Sequence, residues 1–114
     1  NLCIAYQDIL KKHKLYATST TGQMIEDVAN LKIHKLLAGH FGGMQQMGSK
    51  ISNNEIDLLI FLQDPANKKR TPDFYNVLNL CDQYNIPCAT NLPTAEVLIL
   101  ALDRGDLDWR NMYK

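Results

Sequence analysis

The chain lacks most of the features that mark a specialised setting. Its three cysteines, Cys3, Cys81 and Cys88, form neither a C-x-x-C pair nor a metal-ligand spacing. An odd, scattered set argues against a secreted disulfide framework and fits reduced thiols in a cytoplasmic core. Net charge is also missing, because 12 basic and 12 acidic side chains cancel. No overall field therefore draws the chain to nucleic acid or to a membrane surface. The dense basic cluster Lys68-Lys69-Arg70 is flanked by Asp64 and Asp73 and reads as a solvated loop. No run approaches the roughly 18 apolar residues of a membrane helix, and no charged n-region precedes an apolar h-region. Low-complexity linkers and internal repeats are absent as well. No cofactor or metal is expected from these residues.

What is present is an ordinary globular composition, 46% apolar and 21% charged over 114 residues. That is enough for one core, so residues 1–114 are expected to form a single domain with one dominant site. Leu2, Ile4, Ala5, Ile9 and Leu10 recur at mostly helical spacing before Lys11-Lys12-His13, as in the back half of an amphipathic helix. Leu15-Tyr16-Ala17 then reads as a strand, Thr18 to Gly22 as a turn, and Met24, Ile25, Val28 and Ala29 as a helix face.

The unit repeats with Ile33 to Leu37 as strand, Gly39 to Gly43 as turn, and a helix carrying Met44, Met47 and Ile51 up to Asn53-Asn54. Leu58-Leu59-Ile60-Phe61-Leu62 is unalternating and too short for a helix, as expected of a strand covered on both faces. A helix is expected from about Pro72 to Tyr84, a strand from Ile86 to Thr90, and a last helix from Pro93 to Leu102 with Gly105 at its end. The tail to Lys114 is expected at the surface. Strands alternating with helices over short loops require crossovers, which means a parallel, doubly wound α/β sheet.

In such sheets ligands lie beyond the carboxyl ends of the strands, here the loops 18–22, 38–44, 63–71 and 90–94. Thr18, Ser19, Thr20 and Thr21 place four hydroxyls before a helix whose first N–H groups are unpaired and whose dipole favours an anion. Phosphate binding and simple helix capping are both compatible with that turn. Gly39, Gly42 and Gly43 allow close approach of the main chain nearby. Asn91-Leu92-Pro93-Thr94 adds hydrogen-bonding groups but reads first as a helix start.

Over nearly its whole length the chain resembles the methylglyoxal synthase family, enzymes that eliminate phosphate from dihydroxyacetone phosphate. The resemblance rests on Leu15-Tyr16-Ala17-Thr18-Ser19-Thr20-Thr21-Gly22, Gly42-Gly43-Met44-Gln45-Gln46, and Ile56-Asp57-Leu58-Leu59-Ile60-Phe61 running to Asp64-Pro65. Asn85-Ile86-Pro87-Cys88-Ala89-Thr90-Asn91 and Ala101-Leu102-Asp103-Arg104-Gly105-Asp106-Leu107-Asp108 follow in the family order. It implies a flavodoxin-like three-layer α/β/α fold, a homohexamer, and phosphate held by Thr18, Ser19, Thr20, Thr21, Ala38 and Gly39. It also implies a carboxylate base, histidines polarising an enediolate, and an arginine from a neighbouring subunit, for which Arg110 is the candidate.

Several positions depart from the family pattern. Ser19 replaces a glycine of Thr-Gly-Thr-Thr-Gly, and Met44 replaces the aspartate base of Gly-Gly-Asp-Gln-Gln. Ala38-Gly39-His40 stands where the family has Ser-Gly-Pro, and Arg70-Thr71-Pro72-Asp73 lacks the histidine of Pro-His-x-Pro-Asp. The first, central strand with its His-Asp and Lys group is expected upstream of Asn1. The resemblance therefore implies a carbon–oxygen lyase with a degraded site, Asp64 or His40 standing in as base. The alternative is a non-catalytic phosphometabolite-binding domain of the same fold, acting as a sensor or regulator.

Overall fold

A computed structural model describes residues 2–38, 42–62 and 72–113, with side chains to residue 110. The chain forms two compact units, Asn1–Met47 and Gly48–Lys114.

The first unit opens with two short helices, α1 (Leu2–Ala5) and α2 (Gln7–Leu10), where one helix is expected from the sequence. The break is at Tyr6, whose φ of −112° leaves the helical region. Strand β1 (Leu15–Thr18) leads directly into α3 (Ser19–Val28), and β2 (Ile33–Leu36) follows. The strands pair in parallel with Leu15 beside Ile33 and Thr18 beside Leu36. A parallel pair needs a crossover, and α3 supplies it. Helix α3 packs so closely on the pair that a Cβ built on buried Gly22 would stand 2.9 Å from Cγ of Lys35 and 3.1 Å from Cγ2 of Ile33. Leu10, Ala29, Leu31, Ile33 and Met47 are buried here.

Helix α4 (Gly43–Ser52) runs across the boundary between the units. In the second unit β3 (Leu59–Ile60) pairs in parallel with β4 (Cys88–Ala89), and α5 (Pro72–Gln83) and α6 (Leu92–Asp103) complete the alternation. Both strands are shorter than the apolar runs that encode them. Phe74, Val77 and Cys81 recur at three- and four-residue spacing on α5 and form the core with Ile51, Leu59, Ala89, Ala95 and Ile99. Phe61 meets Phe74 edge to face at a centroid distance of 4.8 Å.

Three helix ends in this unit turn back through left-handed residues. Asn54 has φ 58°, Asn85 has φ 56° and Gly105 has φ 84°. At the end of α4, Glu55 N–H donates to Lys50 C=O and Asn54 N–H to Ile51 C=O. Asp106 and Gly105 repeat the pattern on Ala101 and Leu102 at the end of α6. Asparagine and glycine are the residues that tolerate this conformation most readily.

The tail is at the surface as expected, with Asp106, Asp108 and Trp109 exposed, but Arg110 anchors it. Residues Asp108–Tyr113 form a 3₁₀ helix, and Arg110 is only 4% exposed. Its guanidinium donates to the carbonyl of Asn85, to Asn54 Oδ1 at 3.0 Å, to the Ile56 carbonyl at 3.4 Å and to Asp57 Oδ1 at 3.4 Å. One side chain thus ties together the two asparagine turns that precede β3 and β4.

Candidate functional site

The described part of the site lies in the first unit, at the carboxyl ends of β1 and β2. Chain direction dictates this, because in a parallel pair both strands deliver their following loops to the same edge. Thr18 ends β1 in extended geometry, with φ −60° and ψ 156°, and is the N-cap of α3. Its side chain makes no capping hydrogen bond. The first turn of the helix, with Ser19 half-buried and Thr20 and Thr21 exposed, therefore offers main-chain N–H groups and hydroxyls side by side. A tetrahedral oxyanion fits such an edge, since it takes several short donors and is favoured by the positive helix end.

The second wall is the return from β2. Leu37 and Ala38 lead towards Gly42 and Gly43, and Gly43 N–H donates to the Ala38 carbonyl at 3.0 Å. Gly42 sits at φ 102°, which side chains rarely adopt. A Cβ on Gly43 would collide with the Leu37 carbonyl oxygen and lie 3.0 Å from backbone atoms of Ala38. Gln46, one turn into α4, reaches back so that Leu37 N–H donates to its Oε1 at 2.6 Å. The Gly-Gly-x-Gln-Gln stretch is thus a clamp closing the β2–α4 turn. Met44 is half-buried within it and has no proton to give or take.

Glu26 on α3 ties the helix to β2 nearer the strand's amino end. It accepts from Ile33 N–H at 3.1 Å and pairs with Lys35 of β2. The bond to Lys35, followed by that from the Ile33 amide, holds its carboxyl below the usual carboxylate range. Glu26 is not conspicuous in the sequence, whereas Gln46 stands in the family-like stretch Gly42-Gly43-Met44-Gln45-Gln46 without its bond to Leu37 being legible there.

Thr18, Ser19, Thr20, Thr21, Ala38 and Met44 all belong to the first unit, in which Thr18 pairs with Leu36 at the carboxyl ends of β1 and β2. Gly39, His40 and Asp64 lie outside the described residues, as do Thr71 and the Lys68-Lys69-Arg70 cluster. Arg110 is engaged within the second unit by Asn54, Ile56, Asp57 and Asn85. Asn91 is the N-cap of α6, its Oδ1 accepting from Thr94 N–H at 3.0 Å. Among the described residues there is no cluster of three or more His, Cys, Asp or Glu side chains suited to a metal ion. Among them too, no helix is long and apolar enough to cross a membrane.

Comparison with known proteins agrees with this arrangement of strand, turn and helix. The family model described as MGS-like domain matches residues 1–90. A methylglyoxal synthase of Caldicellulosiruptor saccharolyticus is 54% identical over 110 residues, 96% of this chain and 78% of that protein. One from Clostridioides difficile is 51% identical over 113 residues, covering 98% of this chain and 82% of the relative. In three dimensions, the crystal structure of methylglyoxal synthase from Elizabethkingia anophelis superposes with a TM-score of 0.73 at 34% identity. That match covers 83% of this chain and 63% of the other, so the chain spans somewhat under two thirds of the solved relative. With its helices and parallel strands, the chain has an α/β flavodoxin-like fold. It belongs to the methylglyoxal synthase family of MGS-like domains.

Proposed function

We propose that this chain is a methylglyoxal synthase-type lyase that takes dihydroxyacetone phosphate to methylglyoxal and phosphate. The observation that carries the reading is the β1–α3 edge, where Thr18 holds the N-cap position without a side-chain capping bond. Hydroxyls at such an edge are left for a ligand, and phosphate is the group a helix start accommodates best. In this reading Thr18, Ser19, Thr20 and Thr21 bind the phosphate, with Ala38 and Gly39 on the opposite side. Ser19 adds a side chain where the family pattern has bare backbone, so the anion sits slightly farther from the main chain.

Elimination needs a base to remove a carbon-bound proton and donors to hold the enediolate oxygen while the carbon–oxygen bond to the phosphate breaks and inorganic phosphate leaves. Met44 can do neither, so the base is assigned to Asp64, with His40 as the other ionisable candidate. Removing one well-placed base costs on the order of 10²- to 10⁴-fold in rate. A slow enzyme is therefore expected, working in the cytoplasm as a homo-oligomeric assembly of single domains, without metal or cofactor. Relatives named methylglyoxal synthase at about half identity support the reading.

Met44 also favours a second reading, in which the domain binds a phosphorylated three-carbon metabolite without converting it. The two separate on adding dihydroxyacetone phosphate and measuring binding and methylglyoxal release independently. Saturable binding with release supports the lyase. Binding with no release above the uncatalysed rate rejects it in favour of the binding domain. Met44→Asp is expected to raise release without tightening binding.

A further inference from the structure

The first unit carries a second concentration of chemistry that the lyase reading does not use. At the amino ends of β1 and β2 lies a cleft of about 310 Å³ whose polar lining is Lys11, His13, Lys14, Asn30, Lys32 and His34. Among the described residues no carboxylate lines it. The whole chain is neutral, so this local excess is a segregation of charge and not a reflection of composition.

Strand register explains how the cations meet. Leu15 stands beside Ile33 and Tyr16 beside His34, so Lys14 and Lys32 occupy the preceding step on adjacent chains. Residues two apart share a face, which puts Lys14, Tyr16, Lys32 and His34 on one side of the pair. The other side, with Ala17, Ile33 and Lys35, is the one against which Gly22 of α3 packs. Tyr16 organises the cationic face: Lys14 Nζ lies 5.3 Å from its ring centroid and the His34 ring 5.4 Å. Lys11 reaches the cleft from the end of α2 while also pairing with Asp8 at 3.3 Å. Like charges side by side on neighbouring strands are unfavourable by themselves, and a bound anion reverses that sign.

We propose that this cleft binds a compact oligophosphate anion, such as pyrophosphate or triphosphate. Three lysine ammonium groups are strongly hydrated point charges without a planar fork, so they select charge density over shape. The Tyr16 ring beside them already meets Lys14 and His34, so its contacts are with the cleft's own side chains. The cleft is separate from the hydroxyl turn, since the four residues of β1 stand between them, about 10 Å at roughly 3.3 Å per residue.

The test is titration of the full chain with sodium pyrophosphate and tripolyphosphate, followed by amide chemical shifts. The expected result is saturable movement of residues 11–15 and 30–34, weakening as ionic strength rises from 0.02 to 0.2 M by roughly Debye screening. The pair Lys14→Gln and Lys32→Gln is expected to weaken triphosphate binding roughly fivefold or more, while Lys50→Gln leaves it within about twofold. Shifts confined to residues 18–22, non-saturating shifts, or an unchanged affinity in the double variant would each overturn the proposal. A circular dichroism spectrum equal to that of the parent keeps loss of folding from imitating the expected result.

Discussion

Arg110 offers the sharpest test of how the second unit is held together. In Arg110→Ala the Asn85 and Ile56 carbonyls and the Asn54 side chain lose a charged donor at once, and Asp57 loses its ion pair. Hydrogen bonds to charged groups contribute about 1.5–3 kcal/mol each when a partner is deleted, but they are not additive within one network. The Asp57 side chain is 40% exposed, so its share is discounted for solvent screening. Removing one member of a buried charged cluster costs about 3–5 kcal/mol, and the lower half of that range is expected here. At about 4–8 °C per kcal/mol for a domain of this size, Tm falls by roughly 12–30 °C. Urea unfolding measures the loss, and Trp109, the single tryptophan, reports it because the guanidinium lies 5.7 Å from its ring. Arg110→Lys keeps the charge but not the fork and is expected to recover less than half. A loss below about 1 kcal/mol in Arg110→Ala, or full recovery with lysine, refutes the anchor. Weakened phosphate binding at unchanged stability would instead assign Arg110 to a ligand.

Other positions give independent checks. Gly43→Ala forces a Cβ against the Leu37 carbonyl and Ala38 backbone, so a destabilisation of about 1–3 kcal/mol and weaker phosphate binding are expected together; unchanged urea unfolding would remove the close-approach argument. Glu26 is held below its ordinary carboxylate value, so its stabilisation is complete above that value and is lost as pH falls through the depressed folded value. Urea midpoints across the acid limb are therefore expected to fall less steeply in Glu26→Gln, and parallel curves would contradict the assignment. The Cys81 thiol, hydrogen-bonded to the free thiol of Cys88 and buried, is pushed up, whereas that same hydrogen bond holds Cys88 down. Iodoacetamide is accordingly expected to alkylate Cys88 before Cys81, as read by peptide mass, and the reverse order would rule out this polarity of the pair.

Much of the architecture is local and therefore visible in the order of residues. Leu15 to Ala17 followed by four hydroxyl residues and a glycine marks a strand and then a helix, but not the turn expected over residues 18–22, because Thr18 still belongs to β1 and α3 begins at Ser19; Phe74, Val77 and Cys81 announce the buried face of α5 by spacing alone. Asn54, Asn85 and Gly105 are residue types that accept left-handed backbone, so the helix ends are legible as well. The extent of β3 and β4 is not, because apolar character marks what can be buried and not how many residues a neighbouring strand will pair. Likewise Leu2 to His13 has helical spacing, yet Tyr6 breaks it.

What tertiary structure alone decided are the contacts between residues distant in sequence. Gln46 closes on Leu37 nine residues away, Glu26 on Ile33 seven away, and Arg110 on Asn54 and Asp57 across 56 and 53. That Lys14 and Lys32 both stand one step before the Leu15–Ile33 pair depends on strand register, which no periodicity within either segment contains. By itself the sequence determined the kind of elements, their order and the run of hydroxyl residues before a helix. Folding decided that this run ends a strand and opens the helix without a turn between, and which cations gather at the other end of the strands, because partner choice follows from chain reversal and packing and not from local preference.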